Sequence, residues 1–163
     1  MQWSSPSIGK QTIPRERLFS GAATGTGLTA TYFDNFDFTG TSIARIDATL
    51  DFDWGNGSPD PAIGADTFSA RWTGKLEAPG SEQYTLYTQA DDGIRVWIDG
   101  ALVIDNWSDH PPTDNSTTIA LVAGHKYDLK VEYYENGGGA VARLWWSSPS
   151  IGKQPIPQSR LFP

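Results

Sequence analysis

The chain has 163 residues, the size of one ordinary domain, and its 20 aromatic residues supply enough apolar area for a single core. Nineteen acidic against twelve basic residues give a net charge of -7, which argues against nucleic acid or an anionic membrane as partner. The absence of cysteine excludes disulfides, thiolate zinc sites, iron–sulfur clusters and a cysteine nucleophile. No stretch reaches the roughly 20 apolar residues of a transmembrane helix, so we expect no membrane insertion.

The two ends of the chain carry nearly the same sequence. Residues 3–19 match residues 146–162 at an offset of 143 residues, and 14 of the 17 positions are identical. This repeat predicts a tandem array, with residues 1–26 as the tail of a preceding module plus a linker and residues 27–163 as one complete module. A local duplication inside one domain is the alternative. Because residues 146–162 fill the equivalent place in this module, we expect the first copy to run along the outside of the same sandwich or onto another molecule, as a strap between neighbouring modules.

Beyond the linker, apolar and polar residues alternate with the two-residue period of β-strands. The alternation is clearest over residues 68–76, 94–98 and 127–134, each of which has one apolar face. Asp99-Gly100 lies between two such segments and predicts a two-residue hairpin turn. Many short strands separated by turn signals predict an all-β fold, either an antiparallel β-sandwich or a small barrel, with Pro-rich extended tails.

Two adjacent carboxylates, Asp91 and Asp92, follow the strand predicted over residues 84–90. Their proximity is electrostatically unfavourable unless a cation lies between them. Consecutive side chains of a trans strand point to opposite faces, so a shared ion requires a sharp kink or a cis peptide bond. The pair therefore predicts either a cation site or a solvated Asp-Asp-Gly turn.

A glycine-rich loop over residues 136–140 separates the last two predicted long strands. The side-chain carbonyl of Asn136 and main-chain oxygens of such a loop are typical calcium ligands, although a plain hairpin loop is the alternative. The loop and the Asp-Asp pair together favour a calcium site more than either does alone.

Catalytic motifs give no comparable signal. The chain has no Gly-x-Ser-x-Gly elbow and no Ser/His/Asp order, and His110 and His125 lack the spacing of a zinc site. A glycosidase needs only two carboxylates, but nothing singles out a pair. We therefore expect a protein that is not an enzyme.

Five segments in order resemble the protective-antigen (PA-fourteen) domain family over about residues 27–162. They are GLTATYFDN at 27–35, DFDWGNGSPDP at 51–61, FSARWTGKLEAP at 68–79, YTLYTQADDGIRVWIDGALVIDNW at 84–107 and YYENGGGAVARLWW at 133–146. The resemblance implies a β-sandwich of the kind that occurs in bacterial toxins, glycosidases, surface adhesins and yeast flocculins.

The same resemblance implies a site. Lectin members of the family bind calcium through a cis-linked Asp-Asp pair, which falls on Asp91 and Asp92, and an Asn-bearing loop, which falls on Asn136. Main-chain carbonyls of the loop would come from Gly138 and Ala140, and the ion in turn binds vicinal hydroxyls of a terminal sugar. The toxin's own copy lacks sugar binding, so the fold alone does not imply it.

Trp107 and Gly137 complete the predicted ligand site, together with the two aspartates. Trp107 is expected to flank the sugar, the alternative being a Trp that lies flat over the sandwich edge. We expect a calcium-dependent carbohydrate-binding module of an extracellular or cell-surface protein, with glycans or polysaccharide and neighbouring modules as partners. A structural spacer and an accessory domain of a glycoside hydrolase are the alternatives.

Overall fold

The computed structural model describes residues 24–163. The first copy of the repeat and its expected path lie outside this range. The described residues contain no α-helix, and they contain one 3-10 turn at Gln158–Arg160. The strands are β1 (Leu28–Phe33), β2 (Ser42–Asp47), β3 (Asp51–Gly55), β4 (Phe68–Glu77), β5 (Glu82–Asp91), β6 (Gly93–Ile98), β7 (Ala101–Asn106), β8 (Thr113–Leu121), β9 (Lys126–Glu135), β10 (Ala140–Ser148), β11 (Ile151–Pro155) and β12 (Leu161–Phe162). No helix in the described range is long and apolar enough to cross a membrane.

The strands form two antiparallel sheets. The seven-stranded sheet has the order β2-β1-β4-β9-β6-β7, with β12 also paired to β4, and the five-stranded sheet has the order β11-β10-β5-β8, with β3 also paired to β10. The two sheets enclose one cluster of buried hydrophobic side chains. This arrangement confirms the predicted all-β sandwich.

The core follows from the alternation in the sequence. Phe68, Ala70, Trp72 and Leu76 of β4 are fully buried, as the pattern over residues 68–76 predicts. Aromatic rings fill the space between the sheets, and Tyr32 meets Trp72 edge to face at a centroid distance of 5.7 Å. Such pairs add to the stabilisation that burial of apolar area gives.

The predicted hairpin is confirmed between β6 and β7. Asp99 and Gly100 form the turn with φ angles of 47° and 78°. Both angles lie in the left-handed region that a type I′ turn requires, which explains the Asp-Gly sequence.

Asp47, the last residue of β2, is a buried carboxylate of the seven-stranded sheet. Asp47 accepts hydrogen bonds from the Tyr32 hydroxyl at 2.6 Å and the Trp72 indole N–H at 2.8 Å, and Arg45 Nε lies 2.7 Å from its other oxygen. Burial, and then the charge of Asp47, raises the pKa of Tyr32. The carboxylate is thus fully partnered and ties β1, β2 and β4 together.

The described chain begins and ends side by side. Gly25 N donates to Ser159 O at 3.1 Å, and Gly27 N donates to Leu161 O at 3.0 Å. Leu161 then pairs with Leu76 of β4. Two residues before Leu76, Gly74 has no room for a side chain, because a Cβ there would collide with the Phe162 carbonyl. At the other end of β4, Phe68 pairs with Glu135 of β9. Phe68 is eight residues from Leu76, which corresponds to roughly 25 Å along the strand.

Candidate functional site

The Asp-Asp pair lies where β5 ends and β6 begins, at the end of β4 that is far from the bonded residues 25–27 and 159–161. Asp91 is the last residue of β5, and the peptide bond between Asp91 and Asp92 is cis. One carboxylate oxygen from each of these residues and one from Glu135 lie within 4.8 Å of one another. Three acidic side chains therefore converge on one point.

Glu135, the last residue of β9, is the most confined of the three. Its side chain is fully buried, and its Oε1 atom has no hydrogen-bond partner among the described residues. Its Oε2 atom lies 3.3 Å from the oxygen of the Tyr133 hydroxyl. Burial, followed by the charges of Asp92 and Asp91, raises the pKa of Glu135 to about 7. A proton or a cation at Oε1 would satisfy this buried carboxyl group.

Asp92 organises the surrounding backbone. Its buried side chain accepts the His110 N–H on Oδ1 and the Asn136 N–H on Oδ2, both at 2.9 Å. Asp91 is half-buried, and burial together with the neighbouring Asp92 raises the pKa of Asp91. The Tyr133 hydroxyl donates to the main-chain carbonyl of Asp91 and so links the pair to β9.

Polar contacts hold the loop that follows Glu135. The Asn136 side-chain amide donates to Asp109 Oδ2 at 2.8 Å, and the Tyr134 hydroxyl donates to Asp109 Oδ1 at 2.7 Å. These two hydrogen bonds lower the pKa of Asp109, which therefore stays ionised. Gly138 has a φ angle of 111° and donates its N–H to Asp66 at 3.2 Å.

The glycines leave the loop open. Nothing lies within 4 Å of a Cβ built on Gly137, whereas one built on Gly139 would contact Asp91 Oδ2 at 3.6 Å. Ala140 is buried and begins β10 opposite Gly55. The loop thus lies against the carboxylates as expected, while metal ligation by Asn136 and by the loop carbonyls stays a prediction.

A cavity of about 220 Å³ adjoins the loop and is lined by Phe36, Trp107, Asp109, Tyr134 and Asn136. Trp107 meets Tyr134 edge to face at 4.7 Å, and the Arg95 guanidinium lies 4.6 Å from the centre of its indole ring. Trp107 is therefore a fixed wall of the cavity, beside the residues predicted to bind sugar.

A larger groove of about 560 Å³ lies on the outer face of the seven-stranded sheet, between Lys75, Trp97 and Lys130 and the C-terminal Pro163. Its one carboxylate, Asp128, is paired with Lys75. The groove is not lined by any member of the Asp91, Asp92 and Glu135 cluster, whereas Asn136, a lining residue of the smaller cavity, follows Glu135 directly and is hydrogen-bonded to Asp92. The candidate site is therefore the carboxylate cluster with the smaller cavity.

Sequence reasoning missed Glu135 and Asp109. The signal for Glu135 was present, because the inward face of β9 runs Leu129, Val131, Tyr133 and then Glu135. An acidic residue that continues a buried face marks either a partnered charge or a binding site. Asp109 carried no such signal, since it lies in a loop.

The fold of this chain has known relatives. The PA14 domain model matches residues 25–160, so the chain belongs to the PA14 domain family, as the resemblance indicated. It is 52% identical over 140 residues to the anti-sigma-I factor RsgI3 of Acetivibrio thermocellus, a match that covers 86% of this chain and 22% of the relative. The chain therefore spans about a fifth of that protein's length.

Solved structures agree. An anti-sigma factor domain-containing protein from Clostridium clariflavum has a TM-score of 0.83 and 37% identity, over 89% of this chain and 50% of that one. The PA14 sugar-binding domain from an RTX adhesin has a TM-score of 0.67 over 86% of this chain and 99% of that one. At 15% identity, the second likeness shows the fold alone.

Proposed function

We propose that this chain is a calcium-dependent carbohydrate-binding module. The observation that carries the proposal is the convergence of Asp91, Asp92 and Glu135 beside a cavity with an aromatic wall. Neighbouring carboxylates repel one another, and a bound divalent cation would remove the repulsion.

The residues fit calcium by their chemistry. Calcium takes six to eight oxygen ligands, and a set of three carboxylates with no sulfur or imidazole donor suits a hard cation. The unpartnered Oε1 of Glu135 supports a ligand at this point, because a buried carboxylate without a partner is costly. Asn136 and the carbonyls of Gly138 and Ala140 would complete the set. A calcium ion here would offer its remaining coordination positions to vicinal hydroxyls of a sugar.

The protein's own groups would select and orient that sugar. Trp107 and Tyr134 give the cavity apolar walls against which a pyranose ring can pack. Asp109 accepts hydrogen bonds, and its ionised state suits it to sugar hydroxyls. The glycines of the loop add few contacts, so we expect dissociation constants on the order of 0.1 to 10 mM, or roughly 3 to 5.5 kcal/mol.

The relatives suggest a setting for this module. The high identity to proteins named anti-sigma factors favours a role as the ligand-sensing part of a longer anti-sigma protein, with the module outside the cell. Membership of the PA14 domain family is compatible with the extracellular or cell-surface location that the sequence resemblance implies. Tandem neighbours, which the repeat predicts, would raise the weak single-site affinity through multivalency.

Binding without catalysis is the role we assign. An accessory domain of a glycoside hydrolase is the second candidate, because an α-xylosidase from Xanthomonas citri contains a region of the same fold, with 19% identity and a TM-score of 0.64 over 84% of this chain and 16% of its own. Sequencing the flanking regions separates the two, since a hydrolase would have a catalytic domain in the same chain.

Titration calorimetry with a panel of mono- and oligosaccharides, with calcium and with EDTA, tests the proposal. We expect binding that EDTA abolishes and that Asp92→Ala removes. Calcium-dependent melting without binding to any sugar would favour a structural spacer. Sugar binding that persists in EDTA would place the ligand elsewhere.

A further inference from the structure

The C-terminal copy of the repeat is an integral part of the sandwich. After β10, the chain forms β11, which pairs with β10. The 3-10 turn follows, and then β12 pairs with β4. Ile156 and Leu161 of this segment are 2% and 1% exposed. Residues 151–162 therefore occupy a slot with two apolar anchor points, which we call the tail slot.

The N-terminal copy of the repeat carries nearly the same residues as the segment in this slot. Residues 8–19 match residues 151–162 at nine of 12 positions, and Ile13 and Leu18 stand where the anchors Ile156 and Leu161 do. The three differences are Thr12 for Pro155, Arg15 for Gln158 and Glu16 for Ser159. Pro155 is half-buried and the other two C-terminal residues are exposed, so no buried residue changes.

Polar contacts of the slot are preserved as well. Arg160 Nη1 lies 2.7 Å from Glu77 Oε1, and Arg17 is the corresponding residue of the first copy. The bonds from Gly25 and Gly27 go to main-chain carbonyls, which any residue supplies. Gln158 donates its side-chain amide to Thr26 O, and Arg15 in its place is also a donor.

The first copy can reach the slot. Six residues from Phe19 to Gly25 span up to about 20 Å when extended. Gly25 lies beside Ser159, and the position of Phe162 is three residues, or about 10 Å, further along. Replacement of residues 151–162 also leaves β10 in place, because β10 ends at Ser148.

We propose that the tail slot is an exchange site, in which residues 8–19 of the same chain can take the place of residues 151–162. We expect the two occupants to differ in population by no more than about tenfold, since the anchors are identical and tenfold corresponds to 1.4 kcal/mol. This inference is independent of the proposed sugar site.

The natural lack of cysteine allows a direct test. Lys75 is exposed and lies opposite Phe162 in the strand register. Opposite Cα atoms of antiparallel strands are about 4.5 to 5.5 Å apart, which suits a disulfide. The full chain is prepared with Lys75→Cys plus Phe162→Cys, as the reference, and with Lys75→Cys plus Phe19→Cys. Lys75→Cys plus Ala22→Cys is the control for proximity alone.

Initial rates of disulfide formation are then measured on non-reducing gels at several protein concentrations. We expect the Phe19→Cys pair to react within about tenfold of the reference and faster than the Ala22→Cys control. Intrachain products support the proposal, and disulfide-linked dimers in their place would overturn it, because they indicate exchange between copies. A rate no higher than that of the control would overturn the proposal.

Stability gives a second readout. Leu161→Ala removes one anchor of the usual occupant, and Leu18→Ala removes its counterpart. We expect Leu161→Ala to lower the melting temperature of the full chain less than the Leu18→Ala/Leu161→Ala double variant does. Equal melting temperatures for the single and double variants would show that the first copy does not enter the slot.

Discussion

The main-chain N–H of Asn136 donates to Oδ2 of Asp92 at 2.9 Å, although the two residues are 44 positions apart in sequence. The aspartate that we propose as a metal ligand therefore also fixes the start of the glycine-rich loop. A cation bound at this carboxylate would therefore be coupled to the position of the loop.

The coupling leads to a prediction for calcium. We expect calcium at about 100 times its dissociation constant to stabilise the folded chain by about 2.7 kcal/mol, or roughly 5 to 11 °C in melting temperature. Asp92→Ala should remove this increase. Asp128→Ala is the matched control, because Asp128 is an exposed partner of Lys75. Scanning calorimetry with and without EDTA measures both, and an equal calcium response in the two variants would contradict the assignment.

The raised pKa of Glu135 predicts how the free energy of unfolding depends on pH in the absence of calcium. Its pKa is about 7 in the folded chain and about 4.5 when exposed, so the folded state keeps a proton that the unfolded state releases. The stability linked to this proton is complete below pH 4.5 and is lost as the pH rises through 7. The loss amounts to about 3 kcal/mol. Urea unfolding in EDTA at pH 5 and pH 8 should show it, and Glu135→Gln should reduce it.

Calcium affinity should have the opposite pH dependence. The cation competes with the proton on Glu135. Lowering the pH from 8 to 6 should therefore weaken calcium binding by about tenfold, because pH 6 is one unit below the pKa of about 7. Calorimetry in two buffers of different ionisation enthalpy also reports the released proton. An affinity that stays constant between pH 6 and 8 would exclude Glu135 as a ligand.

Trp107 should matter for sugar but not for calcium. We expect Trp107→Ala to weaken sugar binding by tenfold or more, roughly 1.4 kcal/mol, because it removes one wall of the cavity. The calcium-induced rise in melting temperature should remain. Trp97→Ala is the control, since Trp97 lines the groove on the outer face of the larger sheet. If both variants bind sugar equally well, the ligand does not occupy this cavity.

The buried Asp47 should be important for stability alone. Asp47→Ala leaves the Tyr32 hydroxyl and the Trp72 indole N–H without their acceptor and should lower the free energy of unfolding by about 3 to 5 kcal/mol. Tyr32→Phe, which removes one donor, should cost about 1 kcal/mol. Denaturant titration measures both. Calcium affinity should not change, because Asp47 is not part of the carboxylate cluster.

Local features of this fold were predictable and distant ones were not. Alternation identified the buried face of β4, and Asp99-Gly100 identified the hairpin of β6 and β7, because period and turn chemistry are properties of neighbouring residues. The pairing of β4 with β9 joins Phe68 to Glu135, and no local pattern encodes a contact at that separation. The order of strands in each sheet therefore needed the structure.

The same division applies to the candidate site. Asp91 and Asp92 were visible because they are adjacent in sequence, and the loop was visible from its glycines. Asp109 and Phe36 reach the cavity from separate loops, whose positions depend on long-range contacts. Glu135 could be identified from the sequence, since it continues the buried face of β9, but the predicted alternating segment ends at Tyr134.

The bonding of residues 25–27 to residues 159–161 determines how the module responds to tension. Residues 25–27 run parallel to residues 159–161, joined by the Gly25–Ser159 and Gly27–Leu161 hydrogen bonds. A force that pulls the two ends of the chain apart slides these segments past each other, so it loads both bonds at once rather than breaking them in turn. The carboxylate cluster lies at the other end of β4, roughly 25 Å away, outside the path of that force. A module held at these two points can therefore be stretched within a longer chain while its candidate binding site keeps its shape.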